Sequence, residues 1–243
     1  MVRWLYNNSD KILISSRGFE QSILEKGECR NKLIYFPNWA EDVFSEHTDV
    51  QIPALPVGFR VMFAGNIGVA QDFDHIMQAA LYLKAMKHIK FILIGDGRKR
   101  SWVDEFVRKN GLRETVYCLG RFPLETMPAF FGEADVMLLS LKDELIFNLT
   151  VPAKLQAYMA AGRPVMGMLN GEGAALIAEA RCGVAVPAGA SRDLADQITV
   201  LSKIQKSQLR EMGISGQRYY QNNFTKDLCM DHLVNILEER RGK

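Results

Sequence analysis

Residues 148–165 read NLTVPAKLQAYMAAGRPV. Thr150 suits an N-cap, Pro152 suits the first helical turn, and Ala153 to Ala161 propagate a helix that ends in Gly-x-Pro before another strand. Such a start leaves backbone N–H groups free at the positive end of the helix dipole. With Lys154 one turn in, the helix mouth is a candidate phosphate site. An ordinary capped helix between two strands is the plainer reading of the same residues.

Outward from this unit the pattern repeats. The apolar runs FRVMFAG (59–65), KFILIGDG (90–97), TVYCLG (115–120), VMLLS (136–140), PVMGM (164–168) and GVAVP (183–187) read as strands. Helical patterns fall near 72–86, 99–110, 124–134, 151–161, 174–180 and 191–202. Six strands with helical crossovers predict an α/β fold, a Rossmann-like doubly wound parallel sheet. Residues 206–241 read as helical, with Leu209, Met212, Leu228, Leu233, Ile236 and Leu237 at helical spacing and a break at NNFTKD. Ahead of the sheet, the polar, Pro-bearing stretch SEHTDVQIPALPVG (45–58) reads as a linker. Before it, DKILISS, FEQSILEKG and KLIYFPNW make a strand-helix-strand piece. Two strands cannot form an independent core, so they either join the edge of the main sheet or belong to another domain.

Composition sets the class. The chain of 243 residues is 48% hydrophobic and 24% charged, as expected of a soluble globular protein with one large or two small domains. Thirty Lys and Arg against 28 Asp and Glu leave a net charge of +2, which argues against a nucleic-acid partner. No apolar run is long enough to span a bilayer, and the first residues lack the apolar core of a signal peptide, so a cytoplasmic location is expected. Cys29, Cys118, Cys182 and Cys229 are far apart, as are His47, His75, His88 and His232; buried thiols and no metal site are expected.

Ligands of open parallel sheets bind outside the carboxyl ends of the strands. There the first strand runs into AGNIGVAQ, where Gly65 and Gly68 allow close backbone approach to a phosphate. The second ends in GDGRKR, offering Gly95, Gly97 and the cation Arg98. The third ends in LGRFP, where the backbone of Arg121 and Phe122 can grip a planar base. Each loop read alone is also a simple turn with solvated charges. The D-x-D of Asp72 to Asp74 matches a metal-binding pattern but falls at a helix start, where Asp72 is better explained as a cap. Neither G-x-G-x-x-G nor G-x-x-x-x-G-K-[ST] occurs, which disfavours NAD and ATP.

In order, FPNWAEDVF, VMFAGNIGVAQDF, FILIGDG, LGRFPLETMPAFFGEADVMLLSL, TVPAKLQAYMAAGRPV and GVAVPAGASRDLADQI resemble the nucleotide-sugar half of glycosyltransferase family 4. The subgroup it is similar to transfers amino or deoxy sugars in bacterial capsule or O-antigen assembly. The resemblance implies a GT-B fold and retaining transfer from a UDP-sugar, an N-acetylated one, to a lipid-linked saccharide. It also implies that no metal or other cofactor is required, and that any membrane contact is peripheral, at the inner face. Residues 1–45 then resemble the end of an N-terminal acceptor-side domain whose remainder is missing, 46–58 the linker, 59–205 the donor domain and 206–243 C-terminal helices. Trp4, Leu5, Tyr6, Phe36 and Trp39 would pack at the domain junction.

By the same resemblance Leu149, Thr150 and Val151 would hold the donor diphosphate, with Lys154 and Arg98 adding charge and Gly65, Asn66 and Gly68 closing the other side. Gly95, Arg121, Phe122 and Gln156 would bind the nucleoside, and the catalytic residue is unassigned. Many members carry Glu-x7-Glu where this chain has Leu149 and Ala157, leaving Gln156 or Glu144 as substitutes. The usual basic residues near the first glycine loop are replaced by Asn66 and Gln71. Two other functions fit the pattern: a non-catalytic nucleotide-sugar-binding subunit that needs a separate acceptor-domain protein, and a GT-B sugar-nucleotide epimerase.

Overall fold

The computed structural model describes residues 2–46, 48 and 50–238. His47 and Asp49 of the expected linker, and the last five residues of the expected helical tail, lie outside the described residues. Among the described residues there are two parallel sheets, and their strands pair only within each sheet.

The large sheet holds β3 (Phe59–Ala64), β4 (Ile89–Ile94), β5 (Val116–Gly120), β6 (Val136–Ser140), β7 (Val165–Met168) and β8 (Gly183–Val186) in the order β5-β4-β3-β6-β7-β8. All pairs are parallel. The strand order reverses between β3 and β6, which opens a crevice at their carboxyl ends. Helices cover both faces, and so β6 is buried along its whole length. Side chains alternate between two cores: Met62, Ile92 and Met137 pack with α5 (Met127–Gly132), α7 (Ala153–Ala160) and α8 (Gly171–Glu179). Val61, Phe63, Phe91 and Leu138 pack on the other face with α3 (Phe73–Tyr82), α4 (Arg100–Lys109) and α9 (Ser191–Leu201).

The leading strands do not join that sheet. β1 (Ile12–Ile14) and β2 (Leu33–Tyr35) pair in parallel and, with α1 (Val2–Asn8) and α2 (Phe19–Leu24), enclose a small separate core of Ile14, Ile23 and Cys29. Trp4 and Leu5 are exposed, whereas Phe36 meets His232 at a ring separation of 6.0 Å. His232 lies on α11 (Lys226–Glu238), which with α10 (Lys206–Asn223) forms the helical tail. α10 lies across α7, and the Tyr220 hydroxyl accepts from the Ala40 amide at 3.3 Å. The tail thereby fastens the leading piece to the main body. The expected linker is not free either: Ile52 and Leu55 pack on the core, and just ahead of it Phe44 stacks on Phe131 at 5.5 Å. No helix among the described residues is long and apolar enough to cross a membrane.

Candidate functional site

At the carboxyl ends of β3, β4 and β5 the backbone turns sharply three times, at Gly65, Gly95 and Gly120, each with positive φ (132°, 124° and 85°). These turns are laced side by side. The Gly65 amide donates to the Ile94 carbonyl at 2.9 Å, Gly95 to Gly120 at 2.7 Å, and Ile67 to Asp96 at 2.8 Å. A side chain on Gly95 would strike the Gly65 carbonyl, so glycine is required for the turns to nest. From below, the Arg100 guanidinium donates to the carbonyls of Gly95 and Cys118 at 3.4 and 3.2 Å.

The nested turns form the floor of an opening of about 450 Å³. α7 closes one side and presents Lys154, Ala157 and Tyr158, while Phe44, Met127 and Phe131 supply an apolar wall. Tyr158 is buried, and its hydroxyl donates to the Ala64 carbonyl and accepts from the Ala64 amide, both at 3.3 Å, which fixes α7 against the end of β3. Arg121 is exposed at the rim and lies 3.6 Å from Asp96.

Lys154 is the unusual member. Its ammonium is buried without a hydrogen-bond partner among the described residues, packed against Gly65 and 4.2 Å from the centre of the Phe63 ring. Burial pulls its pKa down from 10.5 to about 8. An unpaired buried cation is costly to the fold unless something anionic meets it, and pKa values shifted in this way concentrate at functional sites.

Of the residues expected at the site, Gly65, Asn66, Gly95, Arg121, Phe122 and Lys154 come together in this opening. The others lie elsewhere. Thr150 does not cap the helix: Pro152 occupies that position, and the Thr150 hydroxyl donates back to Ile146 at 2.6 Å. The reason is an unforeseen short helix, α6 (Leu145–Asn148), which also consumes the amides of Leu149 and Thr150 through Leu145 and Phe147. Val151 is buried in the core. Gln156 is buried too and donates to the Asn38 carbonyl at 2.8 Å, serving the leading piece rather than the opening. Arg98 and Glu144 are exposed and do not line the opening, and the Gly68 amide donates to Gln71 Oε1 at 3.3 Å. Asp72 stands at the start of α3 but forms no side-chain cap. It adopts a left-handed conformation, and its carboxylate pairs with His75 Nδ1 at 2.8 Å.

Asp96, Tyr158 and the Phe44–Phe131 stack were missed from sequence. Asp96 stood in the GDG turn, where only the glycines drew weight; Phe44 lies ahead of the expected linker, and nothing local marks it as folding back over α5.

A doubly wound sheet with a glycine-floored opening at its switch point and a buried, unpaired lysine defines an α/β domain with a ligand-type crevice at its carboxyl edge. The chain belongs to the family described as glycosyl transferases group 1, whose model matches residues 58–203. It is 31% identical over 180 residues to the probable glycosyltransferase WbjE of Pseudomonas aeruginosa, covering 70% of this chain and 43% of that protein. It is 28% identical over 167 residues to the putative colanic acid biosynthesis glycosyl transferase WcaI of Escherichia coli strain K12, covering 64% of this chain and 40% of that protein. The chain thus spans about two fifths of the length of these relatives. Among solved structures it is similar to Anabaena Alr3699/HepE in complex with UDP and glucose, with a TM-score of 0.77 at 15% identity, over 98% of this chain and 65% of that one. The fold is that of the GT-B glycosyltransferases.

Proposed function

We propose that this chain is the donor-binding part of a retaining glycosyltransferase that takes a UDP-activated, N-acetylated sugar. The observation that carries the reading is the buried ammonium of Lys154 beside the Gly65 turn, unpaired and at the mouth of α7. In this reading the diphosphate lies across Gly65 and Asn66 against Lys154, and the base sits between the turns at Gly95 and at Arg121 and Phe122. When the bond between the anomeric carbon and the diphosphate oxygen breaks, the electron pair remains on that oxygen. Lys154 meets the growing charge with a charge-assisted hydrogen bond in a poorly solvated site, a role that otherwise falls to a bridging cation. The acceptor is a lipid-linked saccharide of bacterial surface polysaccharide assembly; the colanic acid biosynthesis in the name of WcaI supports the polysaccharide setting. It is presented by a second, acceptor-side domain that residues 1–45 adjoin, and the 243-residue chain alone binds donor but transfers little.

Calorimetric titration with UDP, UDP-sugars and other nucleotides, with magnesium and with EDTA, tests the reading. Saturable UDP binding that is insensitive to EDTA is expected. Binding only in the presence of magnesium, or no preference for uridine nucleotides, would overturn it.

A further inference from the structure

The opposite edge of the large sheet carries another opening. Beside the amino ends of β3, β6 and β7 lies a cavity of about 640 Å³, bordered by the Gly162–Pro164 turn and the first half of α10. Four cations, Arg60, Arg163, Lys206 and Arg210, border it together with two carboxylates, Glu133 and Asp135. Arg60 is already engaged. Its guanidinium pairs with Glu133 and donates to the Pro56 carbonyl at 3.0 Å, and its amide donates to Asp135 Oδ2 at 2.7 Å.

The other three cations are not. Among the described residues, Arg163, Lys206 and Arg210 form no ion pair and no side-chain hydrogen bond. Lys206 and Arg210 are exposed on the first turns of α10, whereas Arg163 is half-buried. Burial holds the Arg163 guanidinium below its usual pKa, against the opposing influence of Glu133 and Asp135. A desolvated guanidinium without a partner is costly, as at Lys154. The cavity is also held in shape. Gly213 of α10 lies so close to the Gly162 carbonyl and to Arg163 that no side chain fits there, and Gln217 Nε2 donates to the Ala160 carbonyl at 3.2 Å.

We propose that this amino-edge cavity is a second anion site, which binds a phosphate group through Arg163, Lys206 and Arg210. The planar fork of Arg163 matches two oxygens of a tetrahedral oxyanion, and Lys206 and Arg210 close over it from α10. Four cations against two carboxylates leave an excess of two positive charges, which suits a dianion. A nucleic-acid strand would need a basic track, and the whole chain carries only +2. The phosphate can come from a small anion in solution or from the headgroup of an anionic phospholipid.

Two assays separate these sources. In the first, inorganic pyrophosphate is titrated calorimetrically into Lys154→Met protein, whose carboxyl-edge site is weakened. In the second, the protein is sedimented with vesicles of phosphatidylcholine alone or mixed with phosphatidylglycerol. Binding in at least one assay is expected, weakened about tenfold or more by Arg163→Gln and by the double variant Lys206→Gln, Arg210→Gln. The double variant changes only exposed side chains, so it keeps the test valid should Arg163→Gln fail to fold. In a background with Lys154 intact, it should leave UDP affinity unchanged. No binding in either assay, or binding that survives the double variant, would overturn the proposal.

Discussion

The ammonium of Lys154 lies 4.2 Å from the centre of the Phe63 ring, over its face, and no oxygen of the described residues satisfies it. The ring's quadrupole offsets part of the desolvation, but a cation–π contact contributes only about 2 kcal/mol even when desolvated. The drop in pKa from 10.5 to about 8, caused by burial, corresponds to roughly 3 kcal/mol of desolvation cost to the charged form. Lys154 therefore opposes folding and, in the proposed function, favours donor binding.

Those two effects have opposite signs in one substitution. Lys154→Met keeps the stem's volume and removes the charge, so the ligand-free protein should gain about 1–3 kcal/mol in urea unfolding. UDP affinity should fall by about 1.5–3 kcal/mol, as for a lost charge-assisted hydrogen bond. A solvated surface lysine would change neither measurement.

The pH dependence follows from the direction of the shift. The folded state binds the Lys154 proton less tightly than the unfolded chain, so stability rises with pH between about 8 and 10.5 and the penalty is complete below that window. Relative to Lys154→Met, wild-type protein should become more stable across this range in thermal melts. Donor binding runs the other way. The diphosphate favours the ammonium, so UDP affinity should decline above pH 8, and binding near pH 9 should take up a proton. Calorimetry in buffers of different ionisation enthalpy detects that uptake, and its absence would place the diphosphate away from Lys154.

The sheet was legible because its signals are local. Runs such as VMLL and FILI are apolar at every position, as expected of strands covered on both faces. Helix boundaries around the site were less so. Thr150 carries the chemistry of an N-cap, yet α6 takes its hydroxyl and its amide, a competition that no property of Thr150 itself reveals. Gln156 shows the same limit, since its partner Asn38 lies 118 residues away in sequence. Lys154 was legible as a cation at a helix mouth, but the absence of any partner for it depends on the packing of Phe63 and Gly65 from a different strand.

Asp72 tests how the first glycine loop is held. It is 4% exposed and left-handed at φ 50°, ψ 47°, a conformation that asparagine and aspartate tolerate better than alanine. Its carboxylate is tied to His75 Nδ1, whose ring lies against Gly189. Asp72→Ala should cost about 2–3 kcal/mol by combining backbone strain with the lost hydrogen bond, and Asp72→Asn about 1 kcal/mol or less. Equal losses in chemical denaturation would mean that the His75 contact, rather than the backbone, sets the cost.

Gly65 and Gly120 make a matched pair at the carboxyl edge, because both have positive φ and only one has a crowded neighbour. An alanine methyl at Gly120 would meet nothing within 4 Å, so Gly120→Ala should carry only the left-handed backbone penalty of about 1–2 kcal/mol in stability. At Gly65 the same methyl would stand 2.6 Å from Lys154 Cε and 3.1 Å from Nζ, so the lysine must swing away. Gly65→Ala should then pay the backbone penalty and also lose about tenfold or more in UDP affinity, since a displaced ammonium no longer faces the diphosphate. Calorimetric titration of both variants with UDP at pH 7, alongside their denaturation curves, separates the two contributions. Gly120→Ala should bind UDP within about twofold of wild type, as expected for a change that leaves the phosphate contacts in place. Similar losses of affinity at the two positions would show that general distortion of the nested turns, and not the approach of Lys154 to Gly65, governs donor binding.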